Sequence, residues 1–394
     1  MIPYGRQDIT QSDIDSIVEV LRSDFLTQGP AVPRFEDAVA ARVMAKYAIA
    51  VNSATSALHL ACLALGLRKG DLLWTVPNTF VASANCARYC DADVDFVDID
   101  SDTWNLSVPA LTEKLGRARR AGRVPAVVVP VHFAGQPTEQ AAIWELAQQY
   151  GFKVLEDASH AVGASRDGEP VGSCRWADIT VFSFHPVKII TSGEGGMALT
   201  NNRALAECMA MLRSHGVTRD AAQIGSSAAR SAFDPPDRIP VWYYEQQMLG
   251  YNYRMTDIQA ALGSSQLGRL DAYLERRNAL ARGYDRDLGG LPLQLPRVLP
   301  GNQSAFHLYV VRTARNATGD ERGRIFDGLR QRGIGVNVHY MPVHLQPYYR
   351  ELGFSAGRCP EAEAHGRTAL TLPLYPGMTD EEQRQVVLAL KDVL

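Results

Sequence analysis

Between residues 45 and 212 the chain alternates short apolar runs with segments of helical periodicity, and this alternation restricts the fold more than any other feature. YAIAVNS leads into ATSALHLACLAL and LLWTVPN into TFVASANCARYC; VDFVDID follows, then AVVVPVHFAG into EQAAIWELAQQY. KVLEDAS, ITVFSF and GGMALTN, the last running into RALAECMAMLR, complete the series. Apolar runs of strand length separated by helical patterns predict an α/β domain with a mostly parallel sheet flanked by helices on both faces. In such sheets ligands bind at the carboxyl ends of the strands.

The rest of the chain is organised differently. Residues 214–250, SHGVTRDAAQIGSSAARSAFDPPDRIPVWYYEQQMLG, are polar and weakly periodic, and a long irregular excursion in a compact chain is usually functional or mobile. From Met255 to about Leu288 the spacing predicts one long helix, stopped by Gly289 and Gly290, with the proline-rich LPLQLPRVLP beyond it as a hinge. Strand patterns near FHLYVVRT and GVNVHY and helical ones near 319–332 and 379–392 predict a smaller C-terminal α+β domain. The expected division is an N-terminal segment (1–30), a large domain (31–265), a linking helix (266–288) and a small domain (289–394).

Of the 394 residues, 46% are hydrophobic and 21% charged, with a net charge of -3 and no basic tract, so a nucleic-acid surface is not expected. The N-terminus shows no secretory pattern. The longest apolar run, VPAVVVPVHFAG (124–135), is too short and too proline-broken to span a bilayer, so a cytoplasmic protein is expected. Six cysteines include no CxxC pair and read as reduced core thiols.

Three strand ends carry polar groups that make joint sense around one ligand. The turn Asn52-Ser53-Ala54-Thr55-Ser56 opens a helix, where free N–H groups and hydroxyls attract an anion; alone, Ser53 or Thr55 would equally serve as a helix cap. Asp157 ends the run KVLED, where a buried carboxylate needs a cationic or hydrogen-bonding partner. FSFHPVKIITSGEGG (182–196) places Ser183 before a single lysine, Lys188, and three glycines that let the backbone pass close to a bound group. A lone lysine is ordinarily a solvated loop side chain. Together, however, amine, acid, hydroxyl and anion turn suit pyridoxal phosphate, with Phe80 stacked on its ring unless that residue is simply core.

The segments NSATSALHL, VPNTFVASA, EDASHAVGA, FSFHPVKIITSGEGG and GYNYRMTDIQAALG, in this order, resemble the DegT/DnrJ/EryC1/StrS family of nucleotide-sugar aminotransferases over nearly the whole chain. The resemblance implies the aspartate aminotransferase-like fold (fold type I) and pyridoxal 5'-phosphate. It implies Lys188 as the Schiff-base lysine, Asp157 as partner of the ring nitrogen, His160 beside the phenolic oxygen, Phe80 on the ring face and Thr55, Ser56 and Ser183 at the phosphate. Asn252 matches an asparagine that reaches the phosphate of a neighbouring subunit, which implies a homodimer with shared active sites. Ala54 replaces a glycine common in relatives, so its backbone must need no positive φ.

MIPYGRQDIT, SDFLTQGPAVPRFE and the run SFHPVKIITSGEGG with RSHGVTRD are most similar to members acting in pseudaminic acid biosynthesis, which implies L-glutamate as donor and the C4 keto group of a UDP-linked 4-keto-6-deoxy sugar as acceptor. Perosamine-type and 3-amino sugars are alternatives. Candidate residues for the sugar cleft are Tyr4, Gln28, His185, His215, Arg219, Arg254 and Tyr340, the two arginines suiting a diphosphate or the donor carboxylate. His339 and His344 flank a proline in HYMPVH, a spacing that fits no helix face, so no metal is expected. Sugar dehydratases of the superfamily carry histidine at the lysine position, and a non-catalytic relative would show gaps in the Asp157, Ser183 and Lys188 set; neither departure is seen.

Overall fold

The computed structural model describes residues 1–220, 223–224, 241–313 and 319–394. Its centre is a seven-stranded sheet of β1 (Tyr47–Val51), β2 (Leu72–Thr75), β3 (Asp93–Phe96), β4 (Val127–Val129), β5 (Lys153–Asp157), β6 (Ile179–Ser183) and β7 (Gly196–Thr200), in the order β1-β7-β6-β5-β4-β2-β3. All strands run the same way except β7, which is antiparallel to both neighbours. The mostly parallel sheet expected from the alternation is therefore present, with one reversed strand.

Helices α1 (Gln11–Leu21), α2 (Ala31–Val43), α3 (Ala54–Ala64), α4 (Ala82–Tyr89), α5 (Val108–Arg120), α6 (Gln140–Tyr150) and α7 (Arg203–Arg213) accompany the strands. Val127, Val128 and Val129 of β4 and Ile179, Val181 and Phe182 of β6 are all inaccessible, as expected of strands covered on both faces. A third apolar cluster joins the small sheet β8 (Leu293–Gln294), β9 (Tyr309–Thr313) and β10 (Ala369–Leu372) to α10 (Gly319–Gln331) and α13 (Asp380–Val393). The short α11 (Pro347–Glu351) and α12 (Pro360–Thr368) lie between them in the chain.

Three details differ from the sequence-based expectation. The single helix expected over 255–288 is two, α8 (Asp257–Leu267) and α9 (Leu270–Leu288), because Arg269 leaves helical geometry (φ -107, ψ 5). Its guanidinium is drawn to the buried Asp13 carboxylate of α1 (2.6 Å) and to the Tyr273 hydroxyl (2.9 Å), partners that local periodicity does not reveal. The N-terminal residues pack on distant parts of the chain: Ile2 bridges to Ile334 and joins the third apolar cluster, while α1 packs on α8. The proline-rich stretch is not a free hinge, since Arg297 O and Leu299 N both bond the Gln136 side chain of the large domain. Of the irregular excursion, residues 221–222 and 225–240 lie outside the described residues.

Parallel strands point their carboxyl ends to one edge, and the turns after β1, β2, β5 and β6 meet there. β6 ends at Ser183 and the chain returns at once as β7, so residues 184–195 stay at that edge. Gly196 starts β7 directly under the first turn of α3: a Cβ there would stand 2.4 Å from Ala54 N and 2.5 Å from Ser53 C. Gly196→Ala is therefore expected to push α3 away from β7 and to destabilise the protein by about 1–3 kcal/mol, measured by denaturant unfolding. Gly196 thus admits the chain's own backbone, whereas Gly195 faces the Ser192 and Met255 side chains and Gly193 takes a positive φ of 84°.

Candidate active site

At that edge lies a cavity of about 900 Å³. Among the described residues it is lined by ten of the fifteen expected site residues: Tyr4, Thr55, Ser56, Phe80, Asp157, His160, Ser183, His185, Lys188 and Tyr340. Gln28, His215, Arg219, Arg254 and Asn252 do not line it. Gln28, His215, Arg219 and Asn252 are exposed, and Arg254 donates to Ser214 Oγ (2.9 Å).

Lys188 is held by its neighbours' backbone. Ile189 and Ile190 are buried in a core cluster with Phe35, Phe184 and Met255, which pins the loop on one side. Phe184 N–H donates to Gly195 O (2.9 Å), and Thr191 Oγ and Ser192 N–H donate to Phe184 O (3.0 and 2.9 Å). The Lys188 side chain borders the cavity and Nζ makes no hydrogen bond among the described residues. Removal from bulk water pulls its pKa down from 10.5 to about 8, the Asp157 charge opposing the shift.

Asp157, at the end of β5, is 5% exposed. Its Oδ2 accepts from Ser83 Oγ (2.6 Å) and its Oδ1 from Ser159 N–H (3.1 Å), and among the described residues no cation touches it directly. A buried carboxylate with only neutral donors is suited to a cationic ring N–H.

Opposite lies the first turn of α3. Ser53 is its cap, accepting from Ser56 N–H (3.1 Å), and Ser56 Oγ donates to Asn52 Oδ1 (2.7 Å). The Thr55 hydroxyl and the N–H groups of Ala54 and Thr55 have no acceptor among the described residues. The cap thus falls to Ser53 and leaves the Thr55 hydroxyl available to a ligand. Ala54 takes ordinary helical geometry, so the missing glycine costs nothing. Ser183 Oγ has only a long contact, from His185 N–H (3.5 Å). Phe80 is 60% exposed and faces the cavity, so it is not core.

His160 Nδ1 accepts from Ala134 N–H (3.3 Å), which leaves the ring proton on Nε2, 3.1 Å from the Tyr340 hydroxyl. Burial first, then the nearby Lys188 and His339, hold His160 well below its ordinary pKa, so it is neutral. His339 is pushed down to about 3 by burial and by Lys188, and its Nδ1 meets Thr371 Oγ (2.8 Å). His344, the other histidine of HYMPVH, is turned to Glu363 (2.9 Å).

Sequence reasoning did not assign Thr79, Glu194, Gln259, Asn337 and His339 to the cavity. Thr79 flanks Phe80 and His339 precedes Tyr340, so neighbourhood was a usable signal for these two; nothing local marks the others. A second cavity, about 840 Å³, runs along β3. Its charges pair among themselves, Lys114 and Arg358 with Asp95 and Arg123 with Asp93, which leaves it little chemistry.

A family model, the DegT/DnrJ/EryC1/StrS aminotransferase family, matches residues 7–391. The chain belongs to that family. It is an aminotransferase whose cofactor is pyridoxal phosphate, and the groups just described fit that cofactor: a free amine, a buried acid without a cation, and a helix terminus with unused N–H groups. Among curated relatives it is 37% identical over 396 residues to the spore coat polysaccharide biosynthesis protein SpsC of Bacillus subtilis, covering 100% of this chain and 97% of that protein. An uncharacterized protein of Methanocaldococcus jannaschii is 36% identical over 395 residues, with the same coverage. Among solved structures, Helicobacter pylori PseC, an aminotransferase of pseudoaminic acid biosynthesis, superposes with a TM-score of 0.88 at 29% identity, covering 100% of this chain and 98% of that one. The putative sugar aminotransferase Spr1654 of Streptococcus pneumoniae, in its PMP-form, gives 0.88 and 29%, covering 100% and 99%. The aminotransferase thus shares the fold type I architecture of its solved relatives, and no helix of the described residues is long and apolar enough to cross a membrane.

Proposed function

We propose that this aminotransferase moves the amino group of L-glutamate to the C4 keto group of a UDP-linked 4-keto-6-deoxy sugar, on the way to pseudaminic acid. The observation that carries the amination chemistry is the unpartnered Lys188 amine in one cavity with Asp157. The similarity to PseC supports the sugar.

In this reading the N–H groups of Ala54 and Thr55, with the hydroxyls of Thr55, Ser56 and Ser183, hold the cofactor phosphate. Phe80 covers one face of the ring, His160 stands beside the phenolic oxygen and Asp157 holds the proton on the ring nitrogen. Bound pyridoxal phosphate supplies the electron sink and carries the amino group from donor to acceptor. Lys188 would tether it, and its released, neutral Nζ would take the α-proton of the donor and return it. The neutral histidines keep competing charge away from that amine.

Tyr4, His185 and Tyr340 line the sugar side of the cavity. Gln28, His215, Arg219, Arg254 and Asn252 act on it only from a second subunit, which makes the enzyme a homodimer with shared sites. Exposed Phe25, Trp242 and Leu249, at 51%, 64% and 80%, support a covered face near those residues. We place the enzyme in the cytoplasm, where nucleotide sugars are made.

A second reading, amination of another nucleotide-linked keto sugar, draws on the 37% identity to a spore coat polysaccharide biosynthesis protein. Assaying UDP-, GDP- and dTDP-linked keto sugars with glutamate decides between them. Turnover of the UDP-linked 4-keto sugar is expected, and turnover of dTDP sugars alone would refute the first reading. Because the Lys188 amine must be neutral to condense, the rate of pyridoxal phosphate uptake by the apoenzyme is expected to rise with pH through about 8 and level off above it, followed by stopped-flow absorbance.

A further inference from the structure

Ser83 is fully buried, one turn after Phe80, and its role is not explained by packing alone. Its Oγ donates to Asp157 Oδ2 at 2.6 Å, in the range of a charge-assisted bond. The Ser83 proton is thereby committed, so at the 2.7 Å contact between Thr79 Oγ and Ser83 Oγ the donor is Thr79. Thr79, Ser83 and Asp157 are 3%, 0% and 5% exposed, so the central hydroxyl of the chain of bonds, that of Ser83, is inaccessible. Both hydroxyls belong to the turn and first residues of α4 that also carry Phe80.

We infer that Thr79 and Ser83 form a directional hydroxyl relay, Thr79 to Ser83 to Asp157, that makes Ser83 a positioning residue for the cofactor's ring nitrogen. A hydroxyl donating to a carboxylate stabilises its negative charge, and a second hydroxyl behind it strengthens the bond. In the pair of ring nitrogen and Asp157 only one proton is shared; stabilising the carboxylate leaves that proton on nitrogen, where it makes the ring an electron sink. The relay also ties Asp157 Oδ2 to the turn bearing Phe80. This rests on Asp157 being the ring-nitrogen partner.

The test uses full-length holoenzyme loaded with pyridoxal phosphate labelled with ¹⁵N in the ring. Wild type is expected to show a protonated ring nitrogen; a neutral one in wild type would overturn the Asp157 assignment itself. Ser83→Ala is expected to move the resonance toward neutral pyridine and to weaken cofactor affinity about tenfold. The near-isosteric Thr79→Val, which leaves Ser83 in place, is expected to move it less and in the same direction. If wild type is protonated and the resonance stays put in folded Ser83→Ala and Thr79→Val, the relay only secures the start of α4 and the inference is wrong.

Discussion

Lys188→Ala is expected to lower transamination by on the order of 10⁴-fold or more while leaving the fold intact, because one amine serves both as covalent tether and as proton carrier. The structure makes this a clean experiment. Nζ has no hydrogen bond to lose among the described residues, and the loop is pinned by Ile189, Ile190 and the Phe184–Gly195 bond, none of which involves the side chain. Borohydride reduction of the wild-type holoenzyme is expected to leave the cofactor on the peptide containing residue 188, and that of the variant to leave none. Full turnover in a purified, cofactor-loaded variant would remove the basis of the proposed mechanism.

The second large effect is expected at Asp157. Asp157→Asn preserves shape and still offers an oxygen to Ser83 or Ser159, but it removes the charge that holds a proton on the ring nitrogen. A loss of about 10²–10³-fold in kcat is expected, the scale typical of removing one preorganised electrostatic partner. The apoenzyme of the same variant is expected to unfold at an equal or higher denaturant concentration than wild type, since a buried charge without a cation is costly until the cofactor arrives. Lower kcat with unimpaired apoenzyme stability separates an electrostatic role from a structural one; wild-type kcat would exclude the former.

How far the site was readable follows from where its information lies. The anion turn, Asp157 and Lys188 each sit at the end of an apolar run, so the strand-helix alternation was enough to place them at one edge of a parallel sheet. Ser83 was not singled out, although it lies in a quoted motif, because nothing in VPNTFVASA shows that its hydroxyl reaches a carboxylate 74 positions away. The same limit explains the broken helix at Arg269, whose partner Asp13 is 256 residues distant.

Periodicity and motif order alone therefore determined the fold class and the family, and set Lys188, Asp157 and the α3 turn at one sheet edge, since each depends on residues close in sequence and on the fixed direction of parallel strands. Only the tertiary structure decided that Gly196 yields to α3 rather than to a ligand, that Phe80 faces the cavity, and that His160 is neutral and bonded to Tyr340. It also decided that five expected residues lie outside this chain's own cavity. Those outcomes depend on burial and on contacts between distant segments, and a side chain's surroundings, not its identity, set its charge and its partners.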